Sequence, residues 1–164
     1  MPSGRPSPDA SEHEAIVAEA IRSHGADPAA LLPIFRAIQD RLGFVPPGAL
    51  HLIAKALGLS RADVYGVLTF YHDFRTSPPG RHVVKLCRAE ACQAVGCERL
   101  ADETFEQWGV RFGETSPGGE ITLEPVYCLG NCALGPAALV DGRLLGRTTL
   151  DRLRACLGAG EIPG

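Results

Sequence analysis

All six cysteines of this 164-residue chain lie in its second half, at Cys87, Cys92, Cys97, Cys128, Cys132 and Cys156. That clustering constrains the fold more than any other feature. A disulfide scaffold with this many cysteines is usually secreted, shorter and denser in cysteine. Residues Met1 to Ser11 are rich in Pro and Ser and lack the apolar stretch of a secretory signal. The thiols therefore read as reduced and the chain as cytoplasmic. No apolar run approaches the ~18 residues of a membrane span. Reduced cysteines in clusters point to a metal or redox site. Apolar residues at 45% and charged residues at 21% are those of an ordinary globular protein. A net charge of −3 and a pI of about 5.9 weigh against bulk nucleic-acid binding.

Hydrophobic spacing divides the chain. Residues 1–11 read as a disordered tail and 12–75 as a helical unit. Ile16, Val17, Ala20 and Ile21 recur at helical spacing, and Gly25 can end their helix. Asp27-Pro28 is an N-cap followed by proline at the first helical position, opening a stripe of Leu31, Ile34, Phe35, Ile38 and Leu42. Pro46-Pro47 opens a third helix, with Leu50, Ile53, Ala54 and Leu57 facing inward. Ser60 with Asp63 forms a capping-box pattern for a fourth, carrying Val64, Val67, Leu68 and Tyr71. Thr76 to Gly80 is a Pro/Gly-rich linker, after which the period changes.

Residues 81–158 alternate strands and helices, and 159–164 form a short tail. His82 to Leu86 predicts a strand ending at Cys87, and 93–108 a helix weakened by Gly96. Val110 to Glu114 predicts a second strand and Ile121 to Tyr127 an alternating third. Asp141-Gly142 is the turn of a hairpin. Thr148 caps a last helix with Leu150, Leu153 and Leu157 on one face. The order β-α-β-β-β-β-α suggests an α/β sandwich of thioredoxin type. The fold class is thus α+β, with an N-terminal helical bundle followed by a thioredoxin-like domain.

Two cysteine pairs sit at strand ends: Cys87-x4-Cys92 and Cys128-x3-Cys132. Adjacent strand-end loops can bring four thiolates together, which is what a [2Fe–2S] cluster requires. Structural zinc also takes four cysteines, but usually from C-x2-C knuckles, and neither pair has that spacing. A thioredoxin-type disulfide catalyst needs C-x-x-C, which is missing from this sequence. Cys92-x4-Cys97 repeats the first spacing. On a helix over 93–108, however, Cys97 points away from the loop, and Cys156 belongs to the last helix. Both read as bystanders. Residues 50–72 look like a helix-turn-helix, which would place its second helix in a DNA major groove. From Phe44 to Arg75, Lys55, Arg61 and Arg75 stand against Asp63 and Asp73, a poor charge balance for phosphate contacts. A simple helical corner is the plainer reading, with an Fe–S-containing DNA-binding regulator as the alternative. His82 is too far along its strand from Cys87 to serve as a Rieske-like ligand. No Gly-rich phosphate loop, paired carboxylates or Ser-His-Asp order is present, so no NAD or FMN site is expected in this chain.

At these residues the sequence resembles the thioredoxin-like [2Fe–2S] ferredoxin family, the family of the 24 kDa subunit of respiratory complex I. The resemblance spans roughly residues 13–158. It is carried by the two cysteine pairs, by Cys128-Leu-Gly-Asn-Cys132 with Gly135-Pro136 and Asp141-Gly142, and by Gly66-Val-Leu-Thr-Phe-Tyr71. It implies Cys87, Cys92, Cys128 and Cys132 as ligands of one [2Fe–2S] cluster, and the helical unit as a docking domain. Phe70-Tyr-His-Asp-Phe-Arg75 and Arg81-His-Val-Val-Lys-Leu-Cys-Arg-Ala-Glu-Ala-Cys-Gln93 are most similar to the gamma subunit of the NAD-dependent molybdenum formate dehydrogenase. That likeness implies a non-catalytic electron-transfer subunit, with two kinds of partner. One is a flavin subunit carrying FMN, the NAD site and further Fe–S clusters. The other is a catalytic subunit holding the molybdenum cofactor, where formate is oxidised to CO2. Complex I and an NAD-linked hydrogenase are the alternative parents.

Overall fold

Local capping chemistry starts and stops the N-terminal helices in this computed structural model, which describes residues 10–158. Helix α1 spans Ala10–His24, so Ala10 and Ser11 are helical rather than part of a tail. Alanine's high helix propensity favours that upstream extension. The remaining tail residues, 1–9 and 159–164, lie outside the described residues. Asp27 accepts a 2.7 Å bond from the Ala29 amide and starts a 3-10 turn, Pro28–Ala30, that leads into α2, Leu31–Leu42. A second 3-10 turn, Pro47–Ala49, leads into α3, Leu50–Leu57. Gly43 and Gly58 follow α2 and α3 in the left-handed conformation that side chains resist. Helix α4, Arg61–Phe70, carries the full capping box: Asp63 N donates to Ser60 Oγ at 3.1 Å, and Ser60 N donates to Asp63 Oδ2 at 3.3 Å.

These helices bury one contiguous core in which Ile34, Phe35 and Ile38 of α2 meet Val17, Ile53, Val64 and Leu68. Tyr71 does not continue the inward stripe. Its backbone turns extended at the end of α4, and the ring stays half exposed, edge-on to Phe70 and Phe74.

The chain divides into two compact units between Pro78 and Pro79. In the second unit the strands are β1, His82–Cys87; β2, Glu114–Thr115; β3, Ile121–Val126; β4, Ala138–Val140; and β5, Arg143–Leu145. The helices are α5, Glu90–Gln93; α6, Cys97–Trp108; and α7, Leu150–Gly158. The sheet order is β2-β3-β1-β4-β5, with β1 and β3 parallel and the other neighbours antiparallel. A parallel pair needs a long crossover, and the segment containing α5 and α6 supplies it. Val84, Leu86, Ile121, Leu123, Ala138 and Val140 form an apolar sheet face that packs with Leu100 and Ala101 of α6 and Leu153 and Cys156 of α7. This mixed sheet with its helices bears out the α+β, thioredoxin-like class.

Three local expectations change. The strand expected over Val110–Glu114 does not form, and only Glu114 joins the two-residue β2 that follows, because Phe112 turns in to meet Phe105 edge-on and the chain reverses at Arg111–Glu114. Strand β3 does not alternate: Ile121, Thr122 and Leu123 are all buried. Thr122 Oγ1 faces Thr115 Oγ1 at 2.8 Å and accepts from Gly80 N at 2.6 Å, so its polar group is satisfied inside. Finally, Thr149 rather than Thr148 caps α7, its hydroxyl accepting from Arg152 N at 3.3 Å. Thr148 is buried and donates to Leu145 O instead. The hairpin turn is as expected, with Asp141 and Gly142 both at positive φ. Asp141 also reaches back to β1, accepting from Val83 N at 2.8 Å and meeting His82 Nδ1 at 2.7 Å. That fixes His82 at the opposite end of β1 from Cys87.

Candidate metal centre

Parallel pairing of β1 and β3 brings the two cysteine loops to the same end of the sheet. The register sets Cys87 opposite Val126, so Cys128 leaves β3 beside the point where Cys87 ends β1. Backbone bonds continue the ladder one step further: Arg88 N donates to Val126 O at 2.8 Å and Cys87 N to Ala137 O at 3.0 Å. The second loop returns through a 3-10 turn, Cys132–Leu134, before entering β4. Three neighbouring strands therefore hold both loops.

Within the first loop, Cys87 and Cys92 are buried, the latter on the single turn of α5. In the second, Cys128 and Cys132 are exposed, with their sulfurs 3.9 Å apart. Two thiolates on one tetrahedral metal with bonds of about 2.3 Å would stand about 3.8 Å apart, so this pair is already at the spacing of a shared metal ion. Cys128 adopts φ 106, a left-handed conformation that costs a non-glycine residue about 1–3 kcal/mol. That turn of the backbone lets Gly130 N donate to Cys128 Sγ at 3.4 Å. The loops also touch. A Cβ on Gly135 would stand 3.6 Å from Cys92 Sγ and 2.8 Å from Val95 Cγ2, so only a bare backbone lets the second loop lie against the first pair.

The electrostatics differ within the first pair. Burial opposes ionisation of Cys87, yet the net shift is downward, because the Ala89 amide, the Cys92 thiol and the Cys128 and Leu129 amides stabilise its thiolate. Cys92 moves up, first through burial and then through Cys87 beside it. Cys132 also moves up, chiefly because it shares a hydrogen bond with Cys128. One thiolate in the first pair is thus stabilised by backbone N–H groups before any metal contributes its charge. Among the described residues, no three His, Cys, Asp or Glu side chains gather around one point as a mononuclear site would require. Soft donors in two pairs suit a two-iron cluster, with two thiolates for each iron.

Cys97 is not where a continuous helix would place it. Gly96 takes φ 93, so the helix expected over 93–108 begins only at Cys97, as α6, and the short α5 lies before it. Cys97 becomes the first residue of α6 and is buried with Cys87, Cys92 and Ala137. Cys156 lies in the separate sheet-and-helix core. An ion pair that sequence reasoning overlooked braces this region: Arg88 binds Glu98 with contacts of 2.6 and 2.8 Å and lies over the Phe112 ring. The only sequence signal for it was position, since Arg88 follows Cys87 and Glu98 follows Cys97.

Gly146 packs against the second loop, where an added Cβ would stand 2.8 Å from Leu134 Cβ and 3.1 Å from Leu134 O. Gly146→Ala is expected to cost about 1–3 kcal/mol by overpacking and to displace the turn carrying Cys132. Urea unfolding of the purified variant measures the first effect, and its iron content measures the second.

Comparison with known proteins places the chain in a family. The sequence profile of the thioredoxin-like [2Fe–2S] ferredoxin family matches residues 17–160. One subunit of the NADH-quinone oxidoreductase of Pseudomonas aeruginosa is 37% identical over 137 residues, covering 83% of this chain and 82% of that protein. Its counterpart in the NADH-quinone oxidoreductase of Escherichia coli K12 is 38% identical over 133 residues, covering 80% and 79%. NADH-quinone oxidoreductase subunit 2 of Thermus thermophilus is 32% identical over 146 residues, covering 83% and 81%. Among solved structures, a chain of an NAD+-reducing [NiFe]-hydrogenase superposes with a TM-score of 0.66 at 22% identity. The match covers 83% of this chain and 23% of that longer one, and it is a likeness of fold.

Proposed function

Because the chain belongs to the thioredoxin-like [2Fe–2S] ferredoxin family, we propose that it is the electron-carrying subunit of an NAD-linked oxidoreductase and that Cys87, Cys92, Cys128 and Cys132 hold its one [2Fe–2S] cluster. The observation that carries this reading is the convergence of two cysteine pairs at one end of β1 and β3. When bound, such a cluster takes up and releases one electron at a time. The residues of this chain divide the remaining work. Cys87 and Cys92 form a buried wall, and the Ala89, Cys128 and Leu129 amides help hold the Cys87 thiol below its ordinary range against the opposing effect of burial. N–H donors of this kind favour the more negative, reduced state of a cluster and so raise its potential. Cys128 and Cys132 form an open edge, flanked by Tyr127 at 74% exposure and by half-exposed Leu134. An exposed ligand pair with an apolar border suits close approach by a redox partner.

The partner in this reading is a subunit carrying FMN and the NAD site. Hydride transfer moves two electrons together and Fe–S centres move one, so a flavin is needed between them. The finer reading is an NAD-dependent formate dehydrogenase, whose molybdenum-containing subunit oxidises formate to CO2. It rests on the Phe70–Arg75 and Arg81–Gln93 stretches. It also places the complex in the cytoplasm, in keeping with six unpaired thiols. A second reading, NADH:quinone oxidoreductase, is favoured by relatives named for that complex at 32–38% identity. No helix among the described residues is long and apolar enough to cross a membrane.

Affinity purification of the tagged chain from its host separates the two parents. Formate dehydrogenase predicts co-purification of a flavoprotein and a molybdenum protein, with formate-dependent NAD reduction. NADH-dependent quinone reduction without formate activity would assign the chain to the second parent. Isolation with neither activity and no flavoprotein would overturn the reading.

A further inference from the structure

A third thiol, Cys97, is buried beside the first loop of the candidate metal centre, although among the described residues no three thiols are close enough to hold one metal ion together. Cys97 is 3% exposed and shares one buried cluster with Cys87, Cys92 and Ala137. It stands to Cys92 in sequence as Cys92 stands to Cys87, five positions on. The left-handed turn at Gly96 separates α6 from α5 and leaves Cys97 at the head of the longer helix, buried with both first-loop cysteines. The second loop has no counterpart, since Cys128 and Cys132 are its only cysteines and Cys156 is buried elsewhere with Leu153.

We propose that Cys97 is a reserve ligand, able to take the place of Cys92 on the metal centre. The inference rests on the [2Fe–2S] reading above. In the intact chain the exchange balances without an oxidant: Cys97 forms an iron–sulfur bond, the Cys92 iron–sulfur bond breaks, and the Cys97 proton passes to the Cys92 thiolate it displaces. No electron moves. Cys92 is the ligand in question because it sits on a four-residue helix that a small backbone change can shift, whereas Cys87 is fixed in the central strand. A fifth thiol in this buried cluster would give the first loop a redundancy that the second lacks.

The test compares the anaerobically assembled full chain with C92A, C97A, C92A/C97A, C92S and C92S/C97A. Iron, acid-labile sulfide, visible absorption and the reduced-state EPR signal are read, with far-UV circular dichroism to verify folding. The expected result is that C92A keeps iron, sulfide and an all-thiolate spectrum, while C92A/C97A loses them. C92S should match C92A, and C92S/C97A should differ from both, because serine oxygen is then the only donor left at that position. Loss of the cluster from folded C92A overturns the proposal, as does identity of the C92S and C92S/C97A spectra. Loss from C97A with retention in C92A also overturns it, since Cys97 would then be the primary ligand. If C92A does not fold, the two serine variants decide. Zinc without sulfide in the unmodified chain would instead defeat the underlying [2Fe–2S] reading.

Discussion

Replacing Cys128 with alanine should abolish cluster binding, with iron and acid-labile sulfide falling from about two per chain to background and the reduced-state EPR signal disappearing. In the proposed ligand set, Cys128 is the member for which the fold has no substitute. It follows β3 directly, its backbone is held at φ 106, and its sulfur lies 3.9 Å from that of Cys132. The four cysteines outside this pair are fixed by β1, α5, α6 and α7, and none of them lies in the second loop. Because Cys128 is exposed, alanine there leaves no cavity in a packed core. Far-UV circular dichroism should therefore match the parent protein while metal content does not. Retention of a full complement of iron and sulfide by this variant would remove Cys128 from the ligand set.

The second large effect is expected at Leu123, which carries no metal chemistry. Its side chain is fully buried in β3, opposite Val84 of β1, beneath α6 and α7. Leu123→Ala should destabilise the protein by about 2–5 kcal/mol through lost burial and the cavity left behind. Against the ~5–15 kcal/mol that holds a typical domain together, that is a large fraction. It should lower the unfolding temperature by about 2–4 °C per kcal/mol for a chain of this size. The same register sets Cys87 beside the start of the Cys128 loop, so loosening it should also speed iron release to a chelator. A variant with an unchanged melting temperature would show that the β1–β3 contact is not where the second unit derives its stability.

Structure set by neighbouring residues was legible in the sequence. The Asp27-Pro28 start, the Ser60–Asp63 capping box and the Asp141-Gly142 turn each depend on residues within a few positions of one another. The cysteine pairs were legible for the same reason, since spacing and strand ends are local properties. What escaped depended on distant contacts or on one dihedral angle. Either Thr148 or Thr149 could cap α7, and burial of Thr148 beneath the hairpin decides between them. The lost strand at Val110–Glu114 follows from Phe112 packing on Phe105. The surroundings of Cys97 were not legible because Gly96 could either continue a helix or break it, and its left-handed φ precedes an α6 that begins at Cys97, buried with Cys87 and Cys92. The parallel pairing of β1 with β3, which gathers the site, joins segments some forty residues apart and has no local signature.

The central claim is that these thiols hold two irons and two sulfides. Anaerobic preparation of the full chain, followed by metal and acid-labile sulfide analysis and by EPR after dithionite reduction, tests it most directly. The prediction is iron and sulfide each near two per chain, with one paramagnetic signal from the reduced protein. One zinc per chain, no sulfide and no signal would contradict it.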